Sequence, residues 1–415
     1  MKLSAAILLA GALAACAPVA PLPDKPAPQP VAATPPASCP VAAPCPACPV
    51  CVPPKPTPPA APAEARFEET PWGDLQGWSQ AGLLPSLRSF MTGCARVQSK
   101  RPWQAVCAEA RRVGTEDEAA ARAFFETRFS AYRIIAPDGA TEGLVTGYYE
   151  PILKARRARA SGFRYPIYGV PDDLVVVDLA DLHPELRNLR LRGRLQGQRL
   201  VPYYSRGEIE STPALPAKPL AWVADAVELF FLQIQGSGLV EFSPGERIRL
   251  GFAEQNGHPY RSLGRYLVDR GELKLEQASM QSIKAWGASN PGKLQEALNA
   301  NPSYVFFREL PAPSSSQDGP PGALGAPLTP GYSAAIDPRY VPLGAPVFLA
   351  TTYPLSSKPL ERLVMAQDTG GAIRGAIRAD FFWGTGDEAG AQAGRMRQQG
   401  KMWILWPKGE GLPRP

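Results

Sequence analysis

The sequence predicts a mainly β protein with peripheral helices, built as two β-barrel-like domains, and three observations predict it. Short apolar runs punctuated by Gly and Pro recur between residues 143 and 252 and again between 303 and 406, the texture of compact β domains. Two helical blocks, one around Ala119 to Ile134 and one from about Arg261 to Asn299, flank and separate those runs. No tandem repeat is apparent, and 45% hydrophobic against 20% charged residues is the composition of a globular chain able to bury a sizeable core.

Taken in order, the first sixteen residues, "MKLSAAILLAGALAAC", have a Lys2 n-region and an apolar stretch too short to span a membrane, which reads as a secretion signal. The small residues ending on Cys16 match a bacterial lipoprotein box, so Cys16 is the expected lipidation site. Ala17 rather than an aspartate follows it, which favours the outer membrane, on its periplasmic side. From Ala17 to Glu64, 18 of 48 residues are proline. Such a segment cannot pack a core and is read as an extended tether, reaching on the order of 150 Å at about 3.1 Å per residue.

Beyond the tether, Thr115 with Glu118 forms a capping box ahead of "AAARAFFETRFSAYRI", where Ala121, Phe125 and Phe129 share one helical face. The runs "GLVTGYYEP", "YPIYGVP", "DLVVVDL", "ELFFLQIQGSG" and "RIRLGF" read as strands of one β block. The second helical block includes Asn290 as a cap and Pro291 in the first turn of a helix. After it, "SYVFFREL", "GYSAAI", "APVFLAT", "RLVMAQ" and "KMWILW" read as strands again, interrupted by "PAPSSSQDGPPGALG", a solvated loop with no apolar period.

The net charge of +6 is dispersed rather than gathered into Lys/Arg runs, so nucleic-acid binding has no support in the sequence. With only His183 and His258 and no HExxH pattern, a catalytic zinc is not expected, and no cofactor is called for. The "QGSG" around Ser237 lacks the G-x-S-x-G elbow of serine hydrolases. Cys94 and Cys107 can pair in an oxidising periplasm, and Cys39, Cys45, Cys48 and Cys51 in the tether suit disulfides better than a metal site.

The chemistry concentrates in "LVMAQDTGGAIRGAIRADFFWGTGD", residues 363–387. Asp368 is expected at a strand terminus, with Gly370 and Gly371 permitting positive φ or close approach of a ligand to backbone. It is either a catalytic acid or a turn former whose carboxylate caps nearby N–H groups. Asp387 reads as a helix cap, and Asp380 as a partner for Arg374 or Arg378. Phe381, Phe382 and Trp383 are candidates for an apolar wall beside Asp368, for stacking on a ligand, or for core.

Five motifs in one order, "TGYYEP" (Thr146 to Pro151), "LQIQGSG" (Leu232 to Gly238), "NGHPYRSLGRYL" (Asn256 to Leu267), "NPSYVFF" (Asn301 to Phe307) and the stretch Ala366 to Gly390, together resemble the membrane-bound lytic murein transglycosylase A family. The last also resembles the three-aspartate domain, whose aspartates match Asp368, Asp380 and Asp387. The resemblance implies a double-psi β-barrel from residues 65–149 and 301–415, and an inserted β domain from 150–300, with a glycan strand held in the groove between them. It implies cleavage of the β-1,4 bond between N-acetylmuramic acid and N-acetylglucosamine, leaving a 1,6-anhydro end.

An ordinary glycosidase needs two carboxylates. Here the sugar's own C6 hydroxyl supplies the nucleophile, so one residue, matching Asp368, can serve as acid and then base, with Asp380 and Asp387 in support. To hold a proton near neutral pH, Asp368 must be partly buried against apolar groups, with Asp380 able to raise it further as a like charge. Tyr148, Glu150, Gln233, Gln235, Ser237, Asn256, His258 and Tyr260 are expected to grip sugars beside Gly370 and Gly371, and alternation would send Gln233 and Gln235 to one face of a strand. A hydrolase in which Asp380 or Glu150 activates water, or a glycan-binding lipoprotein without activity, are the rival readings.

Overall fold

The structure, a computed structural model, describes residues 64–114, 116–183, 190–212, 215–243, 245–311 and 319–413. Cys16, the tether and its four cysteines lie outside them. After β1 (Arg66–Thr70) come helices α1 (Leu84–Val97), α2 (Trp103–Ala110) and α3 (Glu118–Arg128). A disulfide between Cys94 and Cys107 ties α1 to α2. The expected cap Thr115 lies outside the described residues; α3 is capped by Asp117, whose Oδ1 accepts the amides of Ala119 and Ala120 at 2.8 and 3.1 Å. Glu118 instead turns its carboxylate to the start of α1, accepting from Leu83 N and Leu84 N at 2.7 and 2.9 Å. Phe129 does not continue the helix: it is extended, and it opens β2 (Phe129–Ile135) while still burying its ring beside Phe125 and Phe90.

The chain then runs through β3 (Gly143–Glu150), β4 (Ile152–Arg156), β5 (Tyr165–Tyr168), β6 (Val175–Val177), β7 (Leu191–Gln196), β8 (Arg199–Pro202), α4 (Arg206–Ser211), β9 (Pro219–Val223), α5 (Ala226–Gln235), β10 (Ser237–Ser243) and β11 (Glu246–Gln255). Helices α6 (Leu263–Asp269), α7 (Met280–Ser289) and α8 (Pro291–Asn299) follow, with Pro291 in the first turn of α8 as expected. The remainder is β12 (Val305–Leu310), β13 (Ser333–Ile336), β14 (Pro346–Thr352), β15 (Pro359–Asp368), β16 (Ala379–Thr385), α9 (Asp387–Ala393) and β17 (Arg397–Pro407).

Among the described residues three sheets result. The largest has the order β1-β2-β17-β14-β15-β13-β16-β3, and β3 pairs a second time with β17, so the ladder from β17 through β16 returns to its own start. Within it β13–β15 and β16–β3 are parallel and the other pairs antiparallel. Its main core is built from inward residues such as Val145, Phe348, Met365, Phe381 and Ile404, with α1 to α3 packed on it. The second sheet runs β12-β11-β10-β4-β9-β5 and the third β6-β7-β8.

The structure corrects the sequence reading at three further places. "ELFFLQIQ" is helical, because Asp225 accepts from Val227 N at 2.7 Å as a cap and Gly236, at φ 77°, supplies the left-handed turn that ends it. A continuous apolar run has no period to separate a buried helix from a strand. "VFFREL" sits in the second sheet on β11, not with the strands that follow it, so the expected boundary at residue 300 divides a sheet. The described end of the loop 311–325 is not wholly solvated: Gly319 and Pro320 are buried, Gly319 N donates to Leu328 O, and Leu328 N donates to Pro320 O, each at 2.9 Å. Among the described residues no helix is long and apolar enough to cross a membrane.

Candidate active site

Strand β15 ends on Asp368, and the register of four strands explains what gathers there. Asp368 is level with Ala335 of β13, Ala335 with Asp380 of β16, and Asp380 with Thr146 of β3, so the four residues form one row across the sheet. At about 4.8 Å between neighbouring strands, Asp368 and Asp380 stand roughly 10 Å apart at their Cα atoms. Alternation brings Tyr148 and Phe382, two residues beyond Thr146 and Asp380, to the same face. Their rings meet at 5.2 Å and join Ala335, Leu328 and Ile373 in an apolar cluster.

Three donors converge on Asp368. The Tyr148 hydroxyl donates to Oδ2 at 3.0 Å, the Ala323 amide to Oδ1 at 2.9 Å, and the neighbouring Thr369 amide reaches the same carboxyl. These bonds favour the ionised form. Burial beside the apolar cluster outweighs them, and with the nearby negative charge of Asp380 it raises the Asp368 pKa above the usual carboxylate range. Asp380 is raised by burial as well, against the Thr146 hydroxyl, which donates to its Oδ1 at 2.5 Å, and the positive charge of Arg378. Arg378 donates in turn to the Thr146 hydroxyl at 2.8 Å, so cation, hydroxyl and carboxylate form a chain. Burial first, then both aspartates, hold the Tyr148 phenol well above its ordinary pKa, so it stays a donor.

The arrangement can therefore keep a proton on one carboxyl, and stabilise that carboxyl once the proton has left. Of the aromatic triplet, Phe382 is the wall beside Asp368, Phe381 faces the main core, and Trp383 packs against Phe381 and Tyr353.

The other expected residues divide. Glu150 is fully buried, with Arg249 Nε 2.7 Å from its Oε1 and Arg249 Nη2 and the Thr385 hydroxyl donating to its Oε2 at 3.0 and 2.9 Å. That is a buried ion pair linking two sheets, not a sugar contact or a base for water. Asn256 is fully engaged, donating to Tyr204 O and Pro302 O and accepting from Tyr304 N. The His258 ring Nε2 lies 2.7 Å from Tyr203 O. These two polar residues satisfy backbone rather than ligand.

Gln233 is buried on α5 while Gln235, two helical positions on and so on a different face, accepts from Tyr149 N at 3.0 Å. Ser237 opens β10 and is half-buried. Gln235 and Tyr260 line a cleft with Tyr149, Ser262 and Met280. Gly147 and Tyr149 alternate with Tyr148, so the cleft lies on the other side of β3 from Asp368. Asp387 is exposed in the first turn of α9 rather than capping it, since Gly386 holds the cap position. Gly370 and Gly371 follow Asp368 without positive φ, which in residues 363–387 belongs to Gly375, Gly384 and Gly386; an added Cβ at Gly371 would meet nothing within 4 Å, so the space above is open.

The sequence reading missed the Ala323 amide and the Thr146 relay; of the two arginines expected beside Asp380, Arg378 is the one that acts on it, through the Thr146 hydroxyl. A backbone donor from a Gly/Pro-rich loop carries no side-chain signal. Gly322 allows it: a Cβ there would stand 2.5 Å from Gln367 O and 3.2 Å from Asp368 Cβ. Among the described residues no group of three His, Cys, Asp or Glu side chains is placed to hold a metal.

Comparison with known proteins bears on this geometry. Residues 144–308 match the MltA specific insert domain and residues 332–406 the 3D domain. The chain is 34% identical over 268 residues to "Membrane-bound lytic murein transglycosylase A" of Escherichia coli (strain K12), a match covering 63% of this chain and 64% of that relative, so it spans just under two thirds of the curated relative's length. The crystal structure of MltA from Neisseria gonorrhoeae is 43% identical with a TM-score of 0.72, over 84% of this chain and 94% of that one. E. coli MltA with bound chitohexaose is 29% identical with a TM-score of 0.58, over 84% and 95%.

Proposed function

Because this chain belongs to the membrane-bound lytic murein transglycosylase A family, we propose that it cleaves the β-1,4 bond between N-acetylmuramic acid and N-acetylglucosamine in peptidoglycan by intramolecular attack, leaving a 1,6-anhydro end. The observation that carries the reading is Asp368: one carboxyl, raised in pKa by burial, at the end of a strand with three donors on it and open space above Gly371. The solved relative with bound chitohexaose supports a glycan strand as the ligand.

Asp368 enters protonated. Its proton passes to the glycosidic oxygen as the C1–O bond breaks, and the positive charge spreads over C1 and the ring oxygen. The carboxylate left behind accepts from Tyr148, Ala323 and Thr369, which favour it more than the neutral acid and so act where charge develops. The C6 hydroxyl of the muramic unit then bonds to C1, and its proton returns to Asp368. One bond forms, one breaks, no water is consumed, and the acid is restored. Asp380, held by Thr146 and Arg378, keeps the Asp368 pKa raised as a like charge in the same row.

The returning six-stranded ladder of β3, β13, β14, β15, β16 and β17 is read as a double-psi β-barrel, with the second sheet as the inserted domain facing it. Cys16 is read as the lipidated N-terminus, with residues 17–64 tethering the enzyme to the periplasmic side of the outer membrane; a Cys16→Ser variant found in the soluble fraction would support this. The activity is tested by mass spectrometry of material released from purified sacculi, with Asp368→Asn beside the parent. Anhydro-muramyl products from the parent alone support the proposal, and release by both proteins alike removes Asp368 from the chemistry.

A further inference from the structure

Between β4 and β5 the segment Lys154 to Arg164, "KARRARASGFR", holds five basic residues and no acidic one. Arg157 is neutralised, by Glu246 at 3.1 Å and Glu309 at 3.7 Å. Of the other arginines, Arg156 lies over Phe163 at 5.4 Å and Arg159 over Trp222 at 6.0 Å. Among the described residues, Arg156, Arg159 and Arg164 have no carboxylate within ion-pair distance.

The tip is a tight hairpin, closed by Phe163 N to Ala160 O at 2.9 Å and Ala160 N to Phe163 O at 3.3 Å, with Gly162 at φ 79°. One position beyond that bridge on either side stand Arg159 and Arg164, which line one cradle. Like charges opposite one another in a hairpin repel and destabilise it. An anion held between two guanidinium forks converts the repulsion into two charge-assisted hydrogen bonds, and the cradle lined by Arg159, Ser161, Gly162 and Arg164 is open to receive one.

We propose that this hairpin is an anchor for the carboxylates of the peptide stems on the wall polymer, a reading that rests on the proposed activity. A lipid headgroup fits less well, because interfacial binding adds aromatic or leucine side chains to the basic ones, and here Phe163 is half-buried beneath Arg156. The eight residues from Ile152 to Arg159, five of them in β4, let the tip reach on the order of 20 Å beyond the handover from β3, at about 3.3 Å per residue. The anchor thus takes stems rather than the scissile sugars.

The test uses the mature full-length chain, with Arg159→Gln/Arg164→Gln and Arg159→Lys/Arg164→Lys beside it. Affinity for intact sacculi, by pelleting, falls roughly tenfold in the Gln variant, and the deficit shrinks as salt rises. The Lys variant recovers only part, since an ammonium cannot chelate a planar carboxylate. Cleavage of glycan strands stripped of peptides is unchanged. Undiminished sacculus affinity, an equal loss on stripped strands, or a loss confined to vesicles containing phosphatidylglycerol would each overturn the anchor. A parent that binds sacculi through these arginines yet cleaves neither substrate leaves the anchor standing and removes the activity.

Discussion

Replacing Tyr148 by Phe removes one atom from the site and leaves the ring on Phe382, 5.2 Å away, in the same apolar cluster. The lost hydroxyl is the donor to Asp368 Oδ2 at 3.0 Å. A hydrogen bond to a charged acceptor contributes about 1.5–3 kcal/mol. Most of it is realised only after Asp368 has given up its proton, so it belongs to the barrier, and at 1.36 kcal/mol per tenfold the change slows kcat by roughly 10- to 150-fold with KM little altered. Losing a donor to the ionised form also raises the Asp368 pKa further, so the limb on which activity falls with rising pH moves to higher pH. Release of soluble muropeptides from sacculi, followed across pH, reads both effects. A Phe variant with parental kcat and an unmoved alkaline limb would refute the role given to Asp368 and to the bond that serves it.

Asp368→Asn abolishes turnover yet raises the thermal midpoint at pH 7. Burial raises Asp368 in the folded chain, so between the ordinary carboxyl range, near 3.9, and its raised folded value the native state binds more protons than the unfolded one, and stability falls as pH climbs through that window. The Asn gain should therefore disappear below that window, and calorimetry showing a lower midpoint at pH 7 would mean that the folded protein does not raise the Asp368 pKa. Glu150→Gln takes the countercharge from the buried Arg249 guanidinium, which keeps its bond to Gly319 O, and costs about 3–5 kcal/mol in urea unfolding, much of it recovered by Glu150→Gln/Arg249→Met; a variant as stable as the parent would contradict the structural assignment of Glu150. Gly322→Ala drives a Cβ toward Gln367 O, 2.5 Å away, and displaces the Ala323 donor, lowering kcat by roughly a hundredfold if the shift approaches 1 Å, while far-UV circular dichroism stays unchanged.

How far the sequence could be read depended on whether a feature was local. Asp368 at the end of an apolar run and Pro291 in a helix's first turn are signals carried by neighbouring residues, and both appear where they were expected. The row that gives Asp368 its surroundings is not local: Thr146, Ala335 and Asp380 come from three distant segments, and only strand register aligns them. The α5 segment was misread because "VELFFLQI" is apolar on every side, which suits a buried helix as well as a strand. Glu150, Asn256 and His258 lie in motifs rich in polar residues, and nothing in their spacing distinguishes a side chain that grips a sugar from one that closes a buried ion pair or satisfies a backbone carbonyl. Ala323 acts through its amide, and the loop carrying it looked like solvent-exposed punctuation.

The central claim, that Asp368 serves as acid and base for an attack by the sugar's own C6 hydroxyl, is met most directly by running the digestion in ¹⁸O-enriched water and weighing the released fragments. Intramolecular attack consumes no water, so the account predicts anhydro-muramyl ends of unlabelled mass, lost in Asp368→Asn. Reducing ends carrying one ¹⁸O each would contradict it and make the protein a hydrolase on the same fold.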